Sequence, residues 1–291
     1  MALNEEFPAT DKSNGDAKSK ADMLNNEAGL LAQRGETERA LALLEESLAI
    51  EGSIGDAQGK ADTLNNMAGL LAQRGEVERA MELLEESLTI KDSIGDAQGK
   101  ADTLNNMAWL LAQRGESERA ASLLKESLAI KDSIGDAQGK ADTLNNMAGL
   151  LAQRGEVERA IELLEESLKI DETIGDIKGK AATLDNLAGL LERRGDDERA
   201  IELLKESLAI KDSIGDNRGK AATLHTIALI LMIGGDEEQA LGLWSESLKI
   251  CYQIGDSLLA EDILSIIKQV VEVSKISEDL FLDRDFYGCS Y

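Results

Sequence analysis

Proline is almost missing from this chain: one residue, Pro8, stands near the start and none follows in the 291-residue sequence. Proline removes a backbone donor and clashes with the preceding helical turn, so nothing after residue 8 forbids helix on that account. Aromatic residues make up only 3% of the chain, so any core must be built from Leu, Ile, Ala and Met. The two cysteines, Cys251 and Cys289, form neither a disulfide framework nor a zinc motif, which suits a reducing, cytoplasmic setting. His225 is the only histidine, and no cysteine or distinctive serine accompanies it as a nucleophile. No EF-hand or phosphate-binding loop is present. No enzyme activity, metal or cofactor is therefore expected. No apolar run approaches the ~18 residues of a membrane span; the densest, Ile227 to Ile233, is far too short. The opening stretch, MALNEEFPATDKSNGD, lacks the apolar core of a signal peptide.

Positive charge is also scarce. Against 56 acidic residues stand 31 basic ones, a net charge of -25. Nucleic-acid affinity rests on Lys and Arg neutralising phosphates, so DNA and RNA are excluded as partners, and anionic membranes are disfavoured likewise. A basic protein or peptide would be attracted, more weakly at higher salt.

What the chain has instead is repetition. The phrase GKADTLNNMAGLLAQRGEVERA begins at Gly59 and returns unchanged at Gly139; at Gly99 it differs only by Trp109 and Ser117. The period is 40 residues and defines six units: 16–55, 56–95, 96–135, 136–175, 176–215 and 216–255. Such a period signals a repeat array. In the second unit Asp56 is a good N-cap, and Leu64, Met67, Ala68 and Leu71 recur at helical spacing. Gly75 supplies a helix stop. A second stripe follows (Val77, Ala80, Met81, Leu84, Leu88) and ends at Gly95, where Asp96 caps the next unit. Each unit is thus predicted to be two antiparallel helices, which bury their apolar stripes only by stacking on neighbouring units.

Counted from Ala61, residues Leu64, Met67, Ala68, Leu71, Gly75, Ala80, Leu84 and Ser87 fall on the signature positions of the tetratricopeptide motif. Asp92 stands where that motif often closes with proline. The chain resembles this family over all six units. TLNNMAGLLAQRG is similar to the first-helix phrase of kinesin light chain repeats, and bacterial peptide-sensing regulators have long variants of the same kind. The resemblance implies an all-α fold, a right-handed superhelical solenoid of six hairpins. It also implies that the first helix of each unit lines a concave surface, and that asparagines there contact the backbone of a bound peptide.

The ends differ from the middle. Residues 1–15 read as a disordered leader. In the first unit Glu27 replaces Met67, Met107, Met147, Leu187 and Ile227 of the later units, a sign of exposure at the start of an array. Residues 256–274 read as a capping helix, with Leu258, Leu259, Ile263, Ile266, Ile267, Val270 and Val271 on its apolar side. The tail, 275–291, holds Phe281, Phe286, Tyr287 and Tyr291. It could pack on the cap, enter a groove or dock on a partner, so a homo-oligomer formed through the tail or the array ends is open.

Opposite the Leu64/Met67/Leu71 stripe, offsets of four, three and four place Asp62, Asn66, Gly69 and Gln73 on one helical face, with Asn65 at its margin. Stacked units would turn these into ladders. One is Asn26, Asn66, Asn106, Asn146 and Asn186; another is Gln33, Gln73, Gln113 and Gln153; a third is Asp22, Asp62, Asp102 and Asp142. An amide that both donates and accepts can hold a peptide backbone without reading its side chains. With units ~10 Å apart and an extended chain rising ~3.3 Å per residue, each asparagine meets about every third peptide residue. The same asparagines could instead bond between neighbouring helices, and the aspartates could simply favour the helix dipole. Trp109 replaces glycine on this face; it could anchor an apolar ligand residue or pack on adjacent units. The functional expectation is a scaffold or adaptor holding a protein segment with basic residues. The alternatives are a self-associating scaffold and a regulatory subunit that gates a separate enzyme.

Overall fold

The computed structural model describes residues 9–274, and among them are thirteen α-helices and no strand. They are α1 (Ala9–Gln33), α2 (Thr37–Ile54), α3 (Ala57–Gln73), α4 (Val77–Ile94), α5 (Ala97–Gln113), α6 (Ser117–Ile134), α7 (Ala137–Gln153), α8 (Val157–Ile174), α9 (Ile177–Arg194), α10 (Asp197–Ser213), α11 (Asn217–Ile233), α12 (Glu237–Ile254) and α13 (Ser257–Ser274). The fold is all-α: six helical hairpins followed by one terminal helix.

Two glycine-bearing turns of fixed design generate the pattern. At the tip of the second hairpin Gly75 adopts φ +79°, and the Glu76 N–H donates back to the Leu71 carbonyl at 2.9 Å, closing the end of α3. Between hairpins Gly95 adopts φ +73° to end α4, and the Asp96 N–H donates to the Lys91 carbonyl at 2.9 Å. The Asp96 carboxylate then accepts from the Gly99 N–H at 2.9 Å, capping α5. Asp56, Asp136, Asp176 and Asp216 bond in the same way to Gly59, Gly139, Gly179 and Gly219. One Gly-Asp pair thus stops one helix and starts the next.

The first helix departs from this pattern. It begins at Ala9, so residues 9–15, expected to be a disordered leader, are helical, and Asp16 lies inside α1 rather than capping it. No proline follows Pro8 to prevent that extension. The remainder of the leader (1–8) and the aromatic tail (275–291) lie outside the described residues.

The chain divides into two compact units, residues 1–150 and 151–291. In the first, the second and third hairpins each bury one stripe of the first helix against their own second helix and another against the preceding hairpin. Met67 and Leu70 of α3 join Ala28, Leu31, Ala40 and Leu44. Met107 and Leu110 of α5 join Ala68, Leu71, Ala80 and Leu84, and Leu150 of α7 joins Ala108, Leu111, Ala120 and Leu124. A serine on each second helix donates to the carbonyl of an alanine on the first: Ser47 to Ala21, Ser87 to Ala61 and Ser127 to Ala101, at 3.0, 2.7 and 2.9 Å.

In the second unit α13 docks Ala260, Ile263 and Ile267 onto a cluster containing Leu224, Leu241, Trp244 and Leu248. Where α3 buries Ala61 and Ala68 against its own second helix, α13 carries Glu261 and Lys268, both exposed. Two positions that are alanine on α3 are therefore charged on α13. At the opposite end the α1 positions that later hairpins bury hold Met23 (70% exposed), Glu27 and Leu30 (56% exposed). Glu27 is exposed there, as its charge requires.

Candidate functional site

Eight of the seventeen residues of α3 are buried: Ala61, Thr63, Leu64, Met67, Ala68, Leu70, Leu71 and Ala72. Burial on two sides leaves one narrow outward face, and it carries Asp62, Asn66, Gly69 and Gln73, all exposed. The same face on α1 shows Asp22, Asn26, Gly29 and Gln33; on α5 it shows Asp102, Asn106, Trp109 and Gln113; on α7, Asp142, Asn146 and Gly149. α1 touches α3, and α3 touches α5, so these residues form adjacent rows on the first unit. Gln153 and Asn186, in the second unit, are also exposed.

The two asparagines of the Asn-Asn pairs on α1, α3 and α5 do different things. The first is half-buried and ties hairpin to hairpin. The Asn25 amide donates to the Thr63 hydroxyl at 2.9 Å, Asn65 to Thr103 at 3.0 Å and Asn105 to Thr143 at 2.9 Å. The second points outward. Asn66 reaches the Asn25 side-chain oxygen only at 3.4 Å. Asn106 and Asn146 make no hydrogen bond among the described residues, although asparagine is a poor helix-interior residue.

The aspartate row is more occupied. On the second helices a buried charged residue recurs every 40 positions: Glu51, Lys91, Lys131, Asp171 and Lys211, with Cys251 completing the series. Lys91 Nζ lies 3.1 Å from Asp62, whose other oxygen accepts from Gln58 at 3.1 Å. Lys131 Nζ lies 2.6 Å from Asp102 and 2.7 Å from Asp136. Burial works against the charge on Lys131, but these two hydrogen bonds outweigh it and hold its pKa above the ordinary lysine value. In the fifth hairpin the position of Asp62 is Ala182, and the carboxylate has moved three residues on, to Asp185, which pairs with Lys211. Asp62 and Asp102 therefore neutralise buried lysines first and face solvent second.

Neither this buried series nor the Asn-to-Thr ties follows from the expected helix faces. One signal was present: Lys91 lies seven residues after Leu84 and three after Leu88, on the apolar stripe itself.

Trp109 is 50% exposed, the largest side chain on the outward face. The other tryptophan, Trp244, is fully buried and donates its indole N–H to His225 Nδ1 at 3.0 Å, while His225 Nε2 lies 3.6 Å from Asp262. Burial holds the His225 pKa below its ordinary value, opposed by the Asp262 charge, and burial raises that of the Cys251 thiol. Both residues serve packing. Among the described residues no group of His, Cys, Asp and Glu could hold a metal ion, and no helix is long and apolar enough to cross a membrane.

An array of stacked hairpins that presents a polar first-helix face is a helical-repeat protein of the kind that binds other proteins. The tetratricopeptide repeat model matches residues 19–93, 59–133 and 139–213, more than half of the sequence, and the chain belongs to that family. No curated protein matches the sequence. Among solved structures it is similar to the nearly identical repeats of a Podospora anserina kinesin light chain (22% identity, 68% of this chain and 97% of that one, TM-score 0.52). It is also similar to BtubC from P. vanneervenii (20% identity, 72% and 93%, TM-score 0.56). A third is aspartyl phosphate phosphatase F from Bacillus subtilis (14% identity, 93% and 77%, TM-score 0.68). At these identities the likeness concerns the fold.

Proposed function

We propose that this chain is a scaffold or adaptor that holds an extended protein segment along the first-helix face of residues 1–150, through the side-chain amides of Asn66, Asn106 and Asn146. One observation carries the proposal. Asn106 and Asn146 sit in the middle of helices, exposed and without a hydrogen bond among the described residues, while Asn105, just before Asn106, is the one that ties hairpin to hairpin. An outward asparagine without a structural task costs helix stability for nothing inside the chain. The chain's net charge of -25 favours a segment with basic residues. Asn26, Gln73, Gln113 and Trp109 extend the same surface. The aspartates add negative potential, although Asp62 and Asp102 already answer lysines.

The test is capture of partners from source-cell lysate on the full chain and on an Asn66/Asn106/Asn146→Ala variant, at low and moderate salt, read by mass spectrometry. A partner held by the wild type and lost from the folded variant supports the reading. A partner retained equally by both would move the site to another face.

A further inference from the structure

The outward face of α3, α5 and α7 is degenerate. Asp62, Asn66 and Gly69 recur as Asp102 and Asn106, and again as Asp142, Asn146 and Gly149. A segment held only by asparagine amides would find equivalent contacts after sliding by one hairpin, a step of ~10 Å or about three residues. Trp109 is the one departure. Its indole is 50% exposed, and its N–H has no hydrogen-bond partner among the described residues. At Gly69 and Gly149, the same position on the helices to either side, a Cβ would meet nothing within 4 Å. Neither flanking helix therefore carries a side chain at that position, and half of the Trp109 surface is open to solvent.

The chemistry of the surroundings selects the occupant. The exposed positions of this face on α3 and α5 are Asp62, Asn66, Gly69, Gln73, Asp102, Asn106, Trp109 and Gln113: no cation at an exposed position, and in each row a half-exposed carboxylate, although each of these also answers a buried lysine. Asn106, three residues before Trp109, supplies an amide oxygen on the same side of the helix. A planar cation that stacks on the indole and donates hydrogen bonds at its edge fits this set better than an ammonium or an alkyl chain.

We infer that Trp109 is the register-setting subsite of this face, and that it takes one arginine side chain of the bound segment. The inference rests on the reading of the face as a binding surface. It adds what that reading lacks, a reason for a ligand to stop at one register on near-identical repeats.

The test uses the full chain and Gly-Ser peptides about nine residues long, enough to span three asparagines. The central residue is arginine, or its uncharged isostere citrulline. Both tryptophans emit, so a peptide-dependent change in emission is assigned to Trp109 when it is lost from Trp109→Leu, in which the fully buried Trp244 is the remaining fluorophore. The arginine peptide should bind the wild type at least about fivefold more tightly than the citrulline peptide, with a change in emission. Trp109→Gly restores the residue found at Gly69 and Gly149, and Trp109→Leu keeps bulk as Leu229 does. Both variants should abolish the difference between the peptides. Equal binding of the two peptides to the wild type, no binding of either, or an arginine preference that survives both substitutions overturns the inference. If the arginine preference persists while Asn66/Asn106/Asn146→Ala leaves binding unchanged, the asparagine reading fails and the tryptophan subsite stands.

Discussion

Replacing Asp62 with alanine separates a binding role for the aspartate row from a structural one. The Lys91 side chain is 3% exposed and its ammonium lies 3.1 Å from Asp62 Oδ1, whereas the Asp62 side chain is 54% exposed. Loss of one partner from a fully buried pair costs about 3–5 kcal/mol, because the remaining charge is left without compensation. Here half of the lost carboxylate was in water, and solvent can enter the space it leaves, so the expected cost is about 1–3 kcal/mol. Lys131 keeps Asp136 at 2.7 Å when Asp102 is removed, so Asp102→Ala should cost about half as much. The double variant Asp62→Ala/Lys91→Met removes both charges and keeps an apolar stem beside Leu84 and Leu88; it should return to within about 1 kcal/mol of the wild type. Urea denaturation followed by far-ultraviolet circular dichroism gives the magnitudes. Hydrogen exchange in α3 and α4 localises them, since repeat arrays unfold in parts. A neutral Asp62→Ala, or a double variant no more stable than the single, would refute this account of the buried lysines.

Asn65→Ala should destabilise the stack by about 1 kcal/mol through loss of the bond to Thr103, whereas Asn66→Ala should change stability by less than about 0.5 kcal/mol; parallel urea melts compare them. The His225 ring has a pKa below its ordinary value in the folded state, so the unfolded chain takes up the proton first as pH falls. Stability of α11–α13 should therefore be full above the ordinary histidine range and decline below it, and His225→Gln should remove that part of the slope in thermal melts followed by Trp244 fluorescence. Glu27→Leu joins Met23 and Leu30 into one apolar stripe on the outer face of α1, and light scattering should show increased self-association.

The Gly-Asp junctions and the buried stripe of each first helix were legible in the sequence, because both depend on local spacing. The outward face followed from the same spacing: once Leu64, Met67 and Leu71 point inward, Asp62, Asn66 and Gln73 must point out. The buried lysines were not legible, because charge argues for exposure, and only the packed hairpin shows that Asp62 and Asp102 reach them. The division of labour within these Asn-Asn pairs also needed the structure. Asn65 and Asn66 are chemically alike, and a turn of about 100° around the helix axis decides which one meets Thr103. The Trp244–His225 bond joins α11 to α12, and no local pattern announces it. The helical turns that begin at Ala9 run against the expectation of a disordered leader: the stretch is polar, but no proline follows Pro8 to interrupt a helix.

The central claim is that a partner lies along the first helices rather than the second. Photo-crosslinking from chosen positions in the source cell tests it most directly. Benzoylphenylalanine placed at Gln73 and at Gln113 lies on the proposed face; at Glu85 and Glu126 it lies on exposed positions of α4 and α6. The account predicts higher-mass adducts from positions 73 and 113 and none from 85 and 126. Adducts confined to positions 85 and 126 would contradict it.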